Sequence, residues 1–288
     1  MLNGRRSVAP TDRRSRALLW LGRTALLVPE APLITALVCV DLVVGQPPLI
    51  GLLVALLIVG FMMRTAALHL ARAAMEQGRP REAGALIQVA LAIYPCSADA
   101  LALQGVLALN SGQPDLAVTR LRRAIALLPG QPSFHAAFSG ALLELGRPVE
   151  AADAARAALA LSDRCAVAYL HLADAERALG FSALAVEDRL RAGLAVSTAP
   201  AAEAALRCAL AGHLLGEQRI AEATLTLCGA EALLPRCPVS SQAALRFRLG
   251  ELLVVQGQIE RAREHFSGVE ALDPYGRYAA AAWRAARL

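Results

Sequence analysis

The chain has 288 residues, of which 56% are hydrophobic, 18% charged and 4% aromatic, with a formal net charge of +5. An average soluble domain is about 45–50% apolar and about 25% charged, so a disordered chain is excluded and the excess of apolar residues calls for lipid contact, for helices rich in alanine and leucine, or for both. All 29 basic residues are arginine, which excludes chemistry that needs a lysine, such as a phosphate-binding P-loop or a Schiff base.

The first 30 residues hold six arginines against Asp12 and Glu30, whereas residues 64–288 hold 23 arginines against 21 acids. The basic character is therefore an N-terminal arm, and no nucleic-acid partner is expected. Within this arm, 11–28 reads TDRRSRALLWLGRTALLV. As a helix it would lie in the lipid headgroup layer, with Arg13, Arg14, Arg16 and Arg23 near anionic lipid and Trp20 at the interface. A secretory signal peptide is the rival reading. No small-x-small cleavage site follows, and Val38 precedes Cys39 where a lipobox wants a small residue, so an uncleaved anchor is expected.

Residues 31–63 form an apolar stretch, and from Leu42 to Met63 no residue is charged. That is long enough to cross a bilayer core. The run Gly45-Gln46-Pro47-Pro48 is a turn signal inside it. Either a single span with a broken start or a hairpin of two short helices, at 31–44 and 48–63, fits the pattern. Both flanks are basic, with Arg64, Arg72, Arg79 and Arg81 following the stretch, and the preference of basic flanks for the cytoplasmic side favours the hairpin. The expected location is a bacterial inner membrane with the rest of the chain in the cytoplasm, the periplasm being the alternative. Asp41 falls near the hairpin tip, where a carboxylate reaches for the far interface or serves as a functional acid.

From Arg64 onward the chain is periodic. Gly78, Gly112, Gly146 and Gly180 recur every 34 residues; alanine follows five residues after each (Ala83, Ala117, Ala151, Ala185) and again seven later (Ala90, Ala124, Ala158, Ala192). Pro95 and Pro129 close the first two units. The spacing predicts a helix, a glycine turn and a second helix opened by proline, as at Pro80, Pro114 and Pro148. Small residues seven apart on the second helix let neighbouring helices approach closely. Such a pair cannot bury its apolar face alone, so successive units stack.

These residues resemble the tetratricopeptide repeat (TPR) family, whose 34-residue unit carries small residues, glycine, alanine and proline at these offsets. Ala223, Ala230 and Pro235 continue the pattern with Gln218 in place of the turn glycine, and Leu249-Gly250, Gly257, Ala262, Phe266 and Pro274 continue it again. The expected fold is all-α: a membrane hairpin followed by a right-handed solenoid of six units, at 64–97, 98–131, 132–165, 166–199, 204–237 and 243–276, with a capping helix at 277–288. Asp163 and Ser197 stand where the family has proline.

The resemblance implies a binding scaffold whose first helices line a concave groove. Carried over residue by residue, the groove positions are Leu68, Arg72 and Met75; Asp99, Ala102, Val106, Leu109 and Asn110; Ala136, Gly140 and Leu143; Val167, Leu170, Asp174 and Arg177; and Phe247 and Glu251. The lining is mostly apolar and lacks the lysine-rich clamp of chaperone-binding members, so the implied partner is a protein or peptide with apolar anchors. A membrane-bound adaptor without catalysis is the first expectation. Periplasmic repeats assisting envelope, secretion or cytochrome assembly, and a membrane component acting through Asp41, are the alternatives.

No catalytic signature accompanies this. The histidines make no HExxH, and GxSxG, a strand-bound GxGxxG and paired CxxC are missing. No cofactor or metal is expected. Glu144, Glu150, Asp153 and Asp163 read as a solvated face. Arg120, Arg122, Arg123, Arg156, Arg189 and Arg191 read as a basic stripe on second helices. The scattered cysteines read as small buried residues, with Cys228 and Cys237 the nearest candidate pair.

Overall fold

The computed structural model describes residues 48–274 and 276–287, the side chains of 48–50 excepted. The predicted arm at 1–30, the interfacial Arg13, Arg14, Arg16, Trp20 and Arg23, the first hairpin helix at 31–44 and Asp41 lie outside the described residues. The chain divides into two compact units, residues 1–65 and residues 66–288.

Thirteen α-helices and one short 3-10 turn make up the described residues, and no strand occurs among them. The first, α1, runs Pro48–Glu76 without interruption through Met62-Met63-Arg64. Proline suits its first position because the missing N–H would have had no helical acceptor there. Leu52, Leu56, Val59 and Met62 are all more than half exposed, and the Gly51–Glu76 stretch is long and apolar enough to cross a membrane. Further along α1, the burial changes. Ala67, Leu68, Ala71 and Ala74 are buried, with Ala67 and Leu68 clustering on Ala90 and Ala100.

The remaining helices come in pairs: α2 (Pro80–Ile93) meets the end of α1 through Ala90, and α3 (Ala98–Asn110) pairs with α4 (Pro114–Leu127). They are followed by α5 (Pro132–Glu144) with α6 (Pro148–Leu161), α7 (Ala166–Ala178) with α8 (Ala183–Val196), and α9 (Pro200–Gly216) with α10 (Ile220–Leu233). The last pair is α11 (Val239–Val255) with α12 (Ile259–Leu272), and α13 (Ala279–Ala285) packs on α12. Each pair also contacts the next, so the core is a continuous seam rather than a ball.

The turns follow one chemistry. Gly78, Gly112, Gly146, Gly180 and Gly257 adopt φ between 67° and 78°. In each, the glycine N–H and the next N–H reach back to carbonyls of the last helical turn, as Gly112 does to Leu109 and Gln113 to Ala108. Gln218 holds the same conformation at φ 61° and makes the same two-bond turn with Leu215 and, through Arg219, Leu214. A side chain there costs about 1 kcal/mol against glycine. Gln218→Gly is therefore expected to stabilise the fold by about 0.5 kcal/mol, after the larger unfolded-state entropy of glycine is deducted. A thermal melt should register this as an upward shift of roughly 1–2 °C; a downward shift would refute the strain.

The second-helix alanines behave as the spacing predicts in most pairs: Ala83, Ala90, Ala117, Ala124, Ala151, Ala158, Ala223 and Ala230 are fully buried. The fourth pair corrects the expectation. Ala185 and Ala192 are only half-buried, while Val186 and Gly193 take the buried places. Ser182 causes the shift. It caps α8 by accepting the Ala185 N–H, so α8 begins three residues after its glycine instead of two, and every later position moves by one. The large core side chain moves with it: Ile87, Leu121 and Leu227 lie nine residues after their turn residue, but Leu190 lies ten after Gly180.

Candidate binding groove

The first-helix residues expected to line the groove separate into two sets. Leu68, Ala102, Ala136 and Gly140 are buried inside the array. Ala102 belongs to the core around α3–α6, and Ala136 packs with Ala158 and Ala168. Gly140 leaves room for the ring of His171, since a Cβ there would lie 2.7 Å from its Cε1. The His171 ring stands 2.8 Å, at Nδ1, from the Ala136 carbonyl. Burial pulls its pKa below the usual histidine value, with that hydrogen bond opposing, so the neutral ring donates to the carbonyl and pins α7 to α5.

The second set is accessible. Met75, Val106, Leu109, Leu143, Leu170 and Phe247 are half-buried, and Arg72, Asn110, Val167 and Glu251 are exposed. Leu109 and Leu143 rest on the central core, and Leu170 on the α9 core, with their outer faces free. The expected register charges are paired: Arg72 with Asp99 at 3.6 Å, and Arg177 with Asp174 one helical turn apart. Each side chain is at least about a third exposed, so these ion pairs contribute little to stability.

Phe247 has an aromatic neighbour that the periodic pattern gives no hint of. Its ring stacks on Tyr278 with centroids 5.1 Å apart and lies 5.8 Å from Phe266. Burial raises the Tyr278 pKa above the usual tyrosine value. Beside it, Arg277 donates from Nη2 to Glu144 at 2.8 Å and from Nη1 to the Leu109 carbonyl at 3.2 Å. Glu144 is exposed, as a solvated face requires, and carries this ion pair. A cation and a ring at adjacent positions, just before an alanine-rich helix, are the only sequence signal that marks the pair.

Glu150, Asp153 and Asp163 are exposed as well. Glu150 is bound by Arg147 at 2.6 Å and Asp153 by Arg156 at 3.2 Å. Three arginines of the stripe meet buried acids: Arg156 and Arg189 flank Glu176 of α7, and Arg191, together with Arg219, clasps Glu187 of α8. Arg219 thereby ties α8 to the next repeat, because it also holds Glu222. Arg122 instead lies over the Phe138 ring at 6.0 Å, beside an open cleft of 340 Å³ that Ile125, His135, Glu150, Asp153 and Ala154 also line. Cys228 and Cys237 are both free; Cys237 donates to the Leu233 carbonyl. Burial pushes the Cys208 thiol up to about 12. Among the described residues no group of three or more His, Cys, Asp or Glu could hold a metal ion.

Comparison with solved structures settles the architecture. A thermophilic TPR protein of Thermus thermophilus, TTC0263, superimposes with a TM-score of 0.56 at 23% identity, over 66% of this chain and 99% of that protein. The fold is that of a tetratricopeptide-repeat array. PilF of Pseudomonas aeruginosa matches with a TM-score of 0.50 at 19% identity, over 78% of this chain and 98% of that one. An O-GlcNAc transferase mutant of Thermobaculum terrenum matches with a TM-score of 0.46 at 26% identity, over 49% of this chain and only 27% of its own length. No protein-family model matches the chain, and no curated protein does. Stacked repeats of this kind form extended concave surfaces.

Proposed function

We propose that the chain is a membrane-anchored adaptor that holds a protein or peptide in the groove of its TPR array and performs no catalysis of its own. The observation that carries this is the accessible row of Val106, Leu109, Leu143 and Leu170 on successive first helices, with the Arg72–Asp99 and Asp174–Arg177 pairs beside it. Apolar side chains at this spacing suit apolar anchors of an amphipathic segment, and the paired charges fix its register. Six repeat units at the predicted boundaries supply the platform. The exposed apolar length of α1, with residues 1–47, supplies the lipid contact, in a bacterial inner membrane with the repeats on the cytoplasmic side.

The groove is tested by Val106→Glu and Leu170→Glu in the full chain, crosslinked in native membranes. Each variant should lose at least about tenfold of the partner adduct that the wild type forms, as expected when a charge enters an apolar anchor site, with helical circular dichroism unchanged. Undiminished adduct in both variants would overturn the groove. A second reading has its own support, because α1 alone is long enough to span: a single crossing would place the repeats in the periplasm. A reporter fused after Leu288 and active in one compartment separates the two.

A further inference from the structure

The chain's own C-terminal turn, Gly276–Tyr278, reaches back to the far side of the array. Arg277 is followed by Tyr278, and its guanidinium lies 4.7 Å from that ring. The arginine meets Glu144 at the end of α5 and the Leu109 carbonyl at the end of α3, while the tyrosine stacks on Phe247 of α11. Leu109 and Phe247 are groove positions, and Glu144 follows the groove residue Leu143 at the same helix end. The approach is close: a Cβ on Gly112 would lie 3.8 Å from Arg277 Cβ, and one on Gly78 would lie 3.2 Å from Val239 Cγ1 at the start of α11. The turns of the first repeats thus face the last repeat across a narrow gap, and Gly276–Tyr278 sits in it.

We propose that this turn is a built-in occupant of the groove mouth, and that the partner is a peptide presenting an arginine beside an aromatic ring, which enters by displacing it. This deepens the adaptor reading and rests on it. The site accepts a cation through one carboxylate and one carbonyl oxygen, and a flat ring through Phe247, and Arg277-Tyr278 fills both. The occupant is held loosely. Arg277 retains 24% and Glu144 42% of their side-chain exposure, so their attraction is that of a solvent-screened pair. Such a strap lowers a competitor's apparent affinity by the fraction of molecules in which the site is empty.

The test uses the full chain in detergent and a fluorescein-labelled octapeptide copying residues 273–280. Arg277→Ala should bind the peptide about tenfold more tightly than the wild type, since the competing side chain is gone. The same peptide carrying Arg277→Gln should bind this variant about tenfold more weakly, and adding Glu144→Gln to the chain should abolish that discrimination. Saturating peptide should also speed amide exchange across Ala279–Ala285 of the wild type, a readout that needs no substitution. Equal affinity for wild type and Arg277→Ala, discrimination that survives Glu144→Gln, or unaltered exchange would each overturn the strap. If the peptide fails while Val106→Glu and Leu170→Glu still remove the partner adduct, the adaptor stands and only the strap falls. Loss of neither adduct sinks the adaptor itself.

Discussion

Gly193→Val is expected to destabilise the array by about 3 kcal/mol and to lower its melting midpoint by roughly 6–12 °C. Gly193 lies inside α8 where three helices converge. A Cβ there would stand 2.8 Å from Tyr169 Cβ on α7 and 2.9 Å from Leu206 Cδ2 on α9. The first contact decides the outcome. A leucine tip swings aside by changing rotamer, but Tyr169 Cβ is attached directly to the backbone and moves only if α7 moves. The two γ-methyls of valine add to the overlap. Helix propensity acts the other way, since glycine inside a helix is less favourable than valine by a few tenths of a kcal/mol, and that gain is far too small to compensate. Gly216→Ala is the matching control. Nothing lies within 4 Å of a Cβ at Gly216, so propensity acts alone and a gain of about 0.5 kcal/mol is expected. Equal responses at the two glycines in a denaturant titration would show that packing at α8 is looser than these distances require.

Leu206→Ala should cost about 3 kcal/mol, within the usual span for deleting a fully buried leucine. Leu206 is fully buried in the largest core cluster, among residues of α7 to α11, where helices on either side prevent collapse into the space. Its partnership with Gly193 gives a sharper measurement than the single value. In Gly193→Ala, part of the strain comes from Leu206 Cδ1 and Cδ2 at 3.2 and 2.9 Å, and removing that side chain relieves it. The double variant Gly193→Ala/Leu206→Ala should therefore be more stable, by about 1 kcal/mol, than the sum of the two single losses predicts. Strict additivity would mean that Tyr169 carries the whole of the strain.

The repeat period was legible because 34-residue spacing is written in glycine, alanine and proline, whose roles are local. A glycine is needed where φ turns positive, and five of the six turns have one; Gln218 was readable as the sixth only because the flanking alanines kept step. The fourth repeat shows the limit. Gly180 and its downstream alanines keep the 34-residue period, yet Ser182 as a cap delays α8 by one residue, and burial passes to Val186 and Gly193. Spacing cannot report that, since a cap is a choice between local hydrogen bonds that both readings allow.

The candidate site was legible in outline and not in detail. Of the residues that the groove offsets pick out, Val106, Leu109, Leu143, Leu170 and Phe247 are partly accessible, but the offsets could not separate them from the buried Leu68, Ala102 and Ala136. Those three share the same helix face and are covered because the adjacent repeat packs close to it. The charges were harder still. Glu176 and Glu187 look like surface residues in a list, and only stacking reveals that each lies beneath arginines from two helices.

Periodicity, capping chemistry and apolar length are properties of neighbours along the chain, and from these the all-helical repeat fold and the candidate membrane-spanning stretch followed directly. The pairing of Arg277 with Glu144 spans 133 residues, and no local rule connects them. It exists because small twists between successive pairs accumulate until the last repeat comes round to the second and third. That accumulated curvature is set by the packing of every interface in between, so only the tertiary structure decided that Arg277 would meet Glu144 and the Leu109 carbonyl.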